Sequence, residues 1–198
     1  MVNTTLNPIL QTAIADVYNR LHSFGEDPLF TTNFVSIFGQ NAAKIKPDQF
    51  LAIVNSLPAL EIQTASNLQG ALGAFSAQTN TIYLSDSLLS PSQSNQLTAV
   101  LLEEIGHYLD SRLNKVDTKG DEGELFSAIV RGVSLSASEL SRIKAENDQA
   151  VITVNGQALR VERSPLLIGY YDTPGFALDV QVVGNYAYVT DYAGLQII

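Results

Sequence analysis

Cysteine and tryptophan are absent from this chain, methionine occurs once, and histidine occurs only as His22 and His107. Without cysteine there is no disulfide staple, no thiolate zinc site and no cysteine nucleophile. Any metal must be held by oxygen and imidazole, and a site with three histidines from one molecule is excluded. Positive charge is also scarce, with 11 Lys and Arg against 20 Asp and Glu and a formal charge of -9. Such a surface has no basic patch to neutralise phosphates or anionic lipid, so nucleic acid and membrane surfaces are not expected partners. No apolar run approaches the roughly 18 residues of a membrane span. The N-terminus lacks an early Lys or Arg, and Asp16 interrupts its apolar stretch, so neither a Sec signal peptide nor membrane insertion is expected. What the chain does have is 45% hydrophobic residues over 198 positions, enough for one well-buried domain and something small beside it.

The pattern along the chain is that of an α+β protein. Asn7 and Pro8 form a helix start, followed by apolar residues at helical spacing through Ile9, Ala13, Val17 and Leu21. Helical stretches around LFTTNFVSIFG and KPDQFLAIVNSL follow, giving a helical front lobe over 1–58. PALEIQTA alternates like a strand, and LGAF and TIYL flank the polar SAQTN like the arms of a hairpin. Ser90, Pro91 and Gln93 have the spacing of a capping start for the next helix, which extends to about Leu113. A further helix is expected from Asp121, and another where Ser136 and Glu139 make a capping box with Leu135 and Leu140 as a hydrophobic staple. Asn155-Gly156 between alternating runs predicts a tight hairpin that closes a first domain, 1–163. From 164 to 198 the texture changes to short strands rich in Gly, Tyr and Val, with turns at Pro174-Gly175 and Gly184-Asn185 and no helix. A unit this short cannot bury its own faces and reads as one member of a repeat that needs neighbours.

The chemistry concentrates in LTAVLLEEIGHYLDSRL, Leu97 to Leu113. At about 100° per residue, Leu97, Val100, Leu101, Ile105 and Tyr108 share one side of the helix and Glu104 falls among them. An unpartnered carboxylate in such a stripe costs several kcal/mol, comparable to a domain's whole stability margin. Water, a hydrogen-bond donor, a cation or a metal must therefore compensate it. Glu103 and His107 are four residues apart, one turn above the other, on the flank next to Glu104. The spacing is that of H-E-x-x-H, in which residues i and i+4 grip one ion and the glutamate at i+1 takes a proton from bound water. Glu103 stands where the first histidine belongs.

The order of the strand TIYLSDSLL, the helix LTAVLLEEIGHYLD and the acid-bearing DEGELFSA resembles the zincin metallopeptidases over Leu72 to Gly132. The resemblance implies an edge strand, Thr81, Ile82, Tyr83 and Leu84, that binds substrate above the metal helix. It implies Glu104 as general base, His107 as a ligand, Glu103 as a replacement ligand, and a third ligand from the following helix, Glu124 in preference to Glu122. The cofactor so implied is zinc or another divalent metal, drifting with each carboxylate towards Mn²⁺, Fe²⁺ or Ca²⁺. The span Met1 to Arg163 is similar to a module of large secreted cyanobacterial proteins, and VQVVGNYAYVTDYAGLQII resembles the LVIVD repeat, a propeller-forming unit of surface and extracellular proteins. Together these imply a secreted or cell-surface protein with a protein or peptide as substrate or partner.

Two classes of function follow: a zincin-like metallopeptidase domain, degenerate at Glu103, or a non-catalytic adhesion or scaffolding module with a propeller-type binding region. An open cleft beside a free strand edge favours the first; side chains tied to protein groups and covered favour the second. Asp117, Asp121 and Glu122 offer calcium-type oxygens but lack the D-x-D-x-D-G pattern, so a solvated acidic loop is the simpler reading. His22 reads as a surface histidine, Tyr108 as a packing residue, and the tyrosines of NYAYVTDY as strand residues between blades.

Overall fold

The computed structural model describes residues 7–116, 118–164, 177–183, 186–192 and 194–197. These residues fall into two units, dividing after Leu166, each with its own contacts. The fold is α+β. In the first unit the helices are α1 Pro8–Glu26, α2 Phe30–Phe38, α3 Pro47–Val54, α4 Ser94–Leu113, α5 Glu122–Val130 and α6 Ala137–Ile143. The strands are β1 Ala59–Gln63, β2 Gly73–Ser76, β3 Thr81–Ser85, β4 Gln149–Val154 and β5 Gln157–Arg163, in the sheet order β1-β3-β2-β5-β4.

Local signals explain most element boundaries. The Asn7 carboxamide oxygen accepts from the Ile9 and Leu10 amides at the start of α1. Ser136 and Glu139 close the capping box of α6. Asn155 and Gly156 both take positive φ, 51° and 77°, as a two-residue turn between β4 and β5 requires. Ser90 does not cap α4. Pro91–Gln93 instead form a 3-10 turn, α4 begins at Ser94 without a side-chain cap, and the Ser90 hydroxyl pairs with that of Ser92.

β3 is not an edge strand. It is paired in parallel with β1, Ala59 opposite Thr81, and antiparallel with β2, Phe75 opposite Ile82. All five of its residues are buried, because the apolar run TIYLS packs on both faces of the sheet. One face, with Ile62, Phe75, Ile82 and Leu84, meets the helical core; the other, with Ala74 and Tyr83, packs on Leu68, Ile152, Leu159 and Val161. The strand expected to hold substrate has no free backbone, and β1 and β4 form the sheet edges.

Helix α4 runs through the centre of the unit, and every residue from Val100 to Asp110 is buried. Phe24, Phe30, Phe34, Phe50 and Phe126 make a connected aromatic cluster in the same core, with centroids 5.0 to 6.4 Å apart. A helix enclosed on all sides is ordinarily apolar all round. Here Glu103, Glu104, His107 and Asp110 are enclosed with it.

In the second unit β6 Ala177–Val183, β7 Tyr186–Asp191 and β8 Gly194–Ile197 form an antiparallel meander. Leu178, Val180, Val183, Tyr186, Leu195 and Ile197 are each more than half exposed. That is the expected condition of a repeat unit whose faces pack on neighbours. The expected turns at Pro174-Gly175 and Gly184-Asn185 lie outside the described residues.

A candidate metal centre around His107

Three parts of the first unit deliver acids to one imidazole. Helix α4 supplies Glu103, Glu104 and His107; the start of α5 supplies Asp121 and Glu122; the β4–β5 hairpin supplies Asp148 and Glu162. Close approach of α4 and α5 depends on two glycines. A Cβ on Gly106 would lie 2.7 Å from the Gly123 Cα, so neither position admits a side chain without the helices separating.

His107 is fully buried. Its Nδ1 lies 3.0 Å from Glu122 Oε1 and 3.2 Å from Glu162 Oε2, while its Nε2 lies 3.5 Å from Asp148 Oδ2 and 3.8 Å from Asp121 Oδ1. In the neutral ring with Nδ1–H donating to Glu122, Nε2 carries the lone pair; that nitrogen has no hydrogen-bond partner. Glu103, His107 and Asp121 each place one donor atom within 4.8 Å of the other two. The space before Nε2 is kept by Gly123, whose hypothetical Cβ would stand 2.5 Å from that nitrogen.

The electrostatics follow from burial. Burial raises the Glu103 pKa well above its ordinary value, and Asp121 and Glu104 raise it further. Burial likewise pushes Glu104 to about 8, Glu122 to about 7, Asp148 to about 7 and Asp121 to about 6. Burial alone lowers the His107 pKa, but the carboxylates against its Nδ1, Glu122 at 3.0 Å and Glu162 at 3.2 Å, outweigh it and the net direction is upward. Among the described residues no Lys or Arg forms an ion pair with these acids; the arginine pairs are Arg20 with Asp16 and Arg142 with Glu124 and Glu146. Glu103 Oε1, Glu104 Oε2, Asp121 Oδ2, Glu122 Oε2, Asp148 Oδ2 and Glu162 Oε2 are all buried without a hydrogen-bond partner. Buried carboxylates are ordinarily paired or bound to metal. Carboxylate and imidazole donors 3 to 4 Å apart suit one divalent ion at bonds of about 2.0 to 2.4 Å.

Glu104 differs from its neighbours. Its Oε1 accepts 2.7 Å from the Ser164 hydroxyl, and a Cβ on Gly73 would approach that same oxygen to 2.5 Å. Strand β2 and the end of β5 therefore cover it. Asp110 is satisfied by Asn114 and Thr118 and closes the C-terminal end of α4. Tyr108 packs edge-on against Phe75 and donates to the Ser56 carbonyl. His22 is exposed on α1.

Of the residues singled out in the sequence, the structure brings together Glu103, Glu104, His107 and Glu122. Glu124 pairs elsewhere: Gly123 faces α4, and the Oε1 of the half-buried Glu124 meets Arg142 Nη2 at 2.5 Å while its Oε2 is buried without a partner. Asp121, Glu124 and Glu146 form a further close trio, but Arg142 already pairs with two of the three. Asp121, considered above only in an acidic loop, is the acid from this segment that groups with Glu103 and His107. Asp117 lies outside the described residues. Asp148, Glu162 and Ser164 went unnoticed, since nothing local in IKAENDQ or in the alternating RVERS marks an inward-facing polar side chain. Two surface depressions reach the rim of the cluster, one of about 350 Å³ lined by Thr118, Lys119, Asp121 and Glu122, the other of about 600 Å³ lined by Phe75, Gln78, Arg160 and Glu162.

A family model described as the LVIVD repeat matches residues 174–198. No curated protein and no solved structure matches the chain. Among the described residues no helix is long and apolar enough to cross a membrane.

Proposed function

We propose that the first unit is a divalent-cation module in which Glu103, the Nε2 of His107 and Asp121 hold an ion that ties α4 to α5 and the β4–β5 hairpin. In this reading the zincin-type helix is degenerate and its ion is structural. The carrying observation is the buried Nε2 of His107, without a partner and surrounded by carboxylates. The donor Nδ1–H to Glu122 is the usual way a protein fixes the tautomer of a ligating histidine. The oxygen-rich set suits zinc weakly and manganese, iron or calcium better. The LVIVD match supports the complementary half of the proposal: a propeller-type surface that takes a protein or peptide partner, on a secreted or cell-surface protein.

The closed site favours structure over catalysis. Glu104 and His107 are fully buried, both are bonded to protein groups, and β3 offers no free edge for a peptide. One observation supports hydrolysis as a second reading: Glu104 occupies the general-base position, with its pKa near 8 and Oε2 free. A comparison of parent and Glu104→Gln, each loaded with Mn²⁺ or Zn²⁺ and incubated with a mixed peptide library, separates the two. The structural reading predicts a higher unfolding temperature on loading and no cleavage that differs between the two proteins. Cleavage by the parent that Glu104→Gln abolishes while keeping its metal would overturn it in favour of the hydrolase.

A further inference from the structure

A single ion at Nε2 leaves half of the cluster unexplained. Glu122 and Glu162 both press on Nδ1, at 3.0 and 3.2 Å, yet that nitrogen carries at most one proton. The proton is directed to Glu122 Oε1, so Glu162 Oε2 receives none. Glu122 Oε2 is also buried and without a partner, and its residue is almost wholly enclosed. Donor atoms of His107, Glu122 and Glu162 lie within 4.8 Å of one another, a second grouping distinct from that of Glu103, His107 and Asp121. Asp148 adds a further carboxylate close to the ring. Its Oδ2 is 3.5 Å from Nε2, and its backbone carbonyl accepts from the Arg163 amide, which places it beside Glu162 at the open end of the hairpin.

Charge leads to the same conclusion. Five buried carboxylates, Glu103, Glu104, Asp121, Glu122 and Asp148, and the half-buried Glu162 surround one imidazole; a lone divalent ion offsets two of those six charges. Low-dielectric surroundings make the remainder costly. Protons are one remedy and a second cation is the other, and Glu122 and Glu162 already place donor atoms within 4.8 Å of each other beside His107.

We propose that the centre holds two divalent cations: one between Glu103, His107 Nε2 and Asp121, the other between Glu122 and Glu162, with Asp148 placed to bridge them. This rests on the cation reading above and deepens it. The ligands of the second position are all carboxylate, so it takes a hard, oxygen-seeking ion such as Mn²⁺ or Ca²⁺. His107 remains a ligand through Nε2 alone and a donor through Nδ1, with no need for a doubly deprotonated ring.

Titration of the whole metal-stripped protein with Mn²⁺, read by calorimetry and by electron paramagnetic resonance, tests it. The expected result is two Mn²⁺ per chain and, at saturation, a spectrum broadened by coupling between neighbouring ions. Glu162→Gln should fall to one Mn²⁺ per chain with the sharp six-line spectrum of an isolated ion. One Mn²⁺ per chain in the parent, with that isolated spectrum, would overturn the second position and leave the first standing. Two uncoupled ions, or two in Glu162→Gln, would also overturn it. No binding by the parent would overturn both proposals together. The parent spectrum decides the matter even if a variant does not fold.

Discussion

Chelation should make the first unit's stability fall steeply as pH rises. In the cation-free protein Glu104 titrates near 8 against an ordinary 4.5, Glu122 near 7 against 4.5, and Asp148 and Asp121 near 7 and 6 against 3.8. Each folded-state value is raised, so between those limits the folded chain holds protons that the unfolded chain has released. Stability is then fully present below about pH 4 and is lost as pH climbs through the folded values. Each retained proton contributes a slope of about 1.4 kcal/mol per pH unit. For Glu104 alone, the loss between pH 4.5 and about 8 is on the order of 5 kcal/mol, comparable to the whole margin of a typical domain. At roughly 2 to 4 °C per kcal/mol for a chain of this size, that is a fall of about 10 to 20 °C. Bound cations replace the protons of Asp121, Glu122 and Asp148, so the loaded protein should lose clearly less stability over the same range. Thermal unfolding followed by circular dichroism at pH 5, 6, 7 and 8, with EDTA or with excess Mn²⁺, measures both curves. A flat or rising curve in EDTA, or no gap between the two at pH 8, refutes the electrostatic reasoning.

Other substitutions divide the roles more finely. Asp121→Asn should weaken Mn²⁺ binding by about 10- to 100-fold in a calorimetric titration, whereas Glu124→Gln, at the Arg142 pair, should change it less than about threefold. Gly123→Ala places a methyl 2.5 Å from His107 Nε2 and should cost about 1 to 3 kcal/mol in urea unfolding and lower the Mn²⁺ bound by one per chain; unchanged stoichiometry in this variant would show that the space before Nε2 is not where the ion sits. Glu104→Gln keeps an acceptor for Ser164 but removes a buried charge, so it should raise the unfolding temperature of the cation-free protein at pH 8 and leave it nearly unchanged at pH 5. Ser164→Ala leaves Glu104 Oε1 without its donor and should cost about 1 to 2 kcal/mol in the same denaturation assay.

The sequence made the site's centre legible because helix periodicity is local. An acid at 104 in an apolar stripe, with Glu103 and His107 one turn apart beside it, is visible from spacing alone, and so are the Asn7 cap, the box at Ser136 and Glu139, and the Asn155-Gly156 turn. What it concealed depends on long-range packing. Thr81–Ser85 reads equally well as an edge or an interior strand until β1 is seen to pair with it in parallel. The choice between Asp121 and Glu124 turns on which way α5 is rotated, and that is set by Gly106 meeting Gly123 across two helices. Asp148 and Glu162 lie more than 40 residues beyond His107 and reach it only because the hairpin adds to β2, with Phe75 opposite Glu162. Ser90 had the composition of a cap, but a 3-10 turn intervenes before α4 begins.

The central claim is that this buried set of acids exists to hold metal. Metal content by mass spectrometry, on protein purified without a histidine tag and on its His107→Ala variant, tests it most directly. The account predicts at least one zinc, manganese, iron or calcium per chain in the parent, lost or reduced by at least one in His107→Ala. A parent protein that carries none, and takes up none after incubation with Zn²⁺, Mn²⁺ and Ca²⁺ at neutral pH, would contradict it.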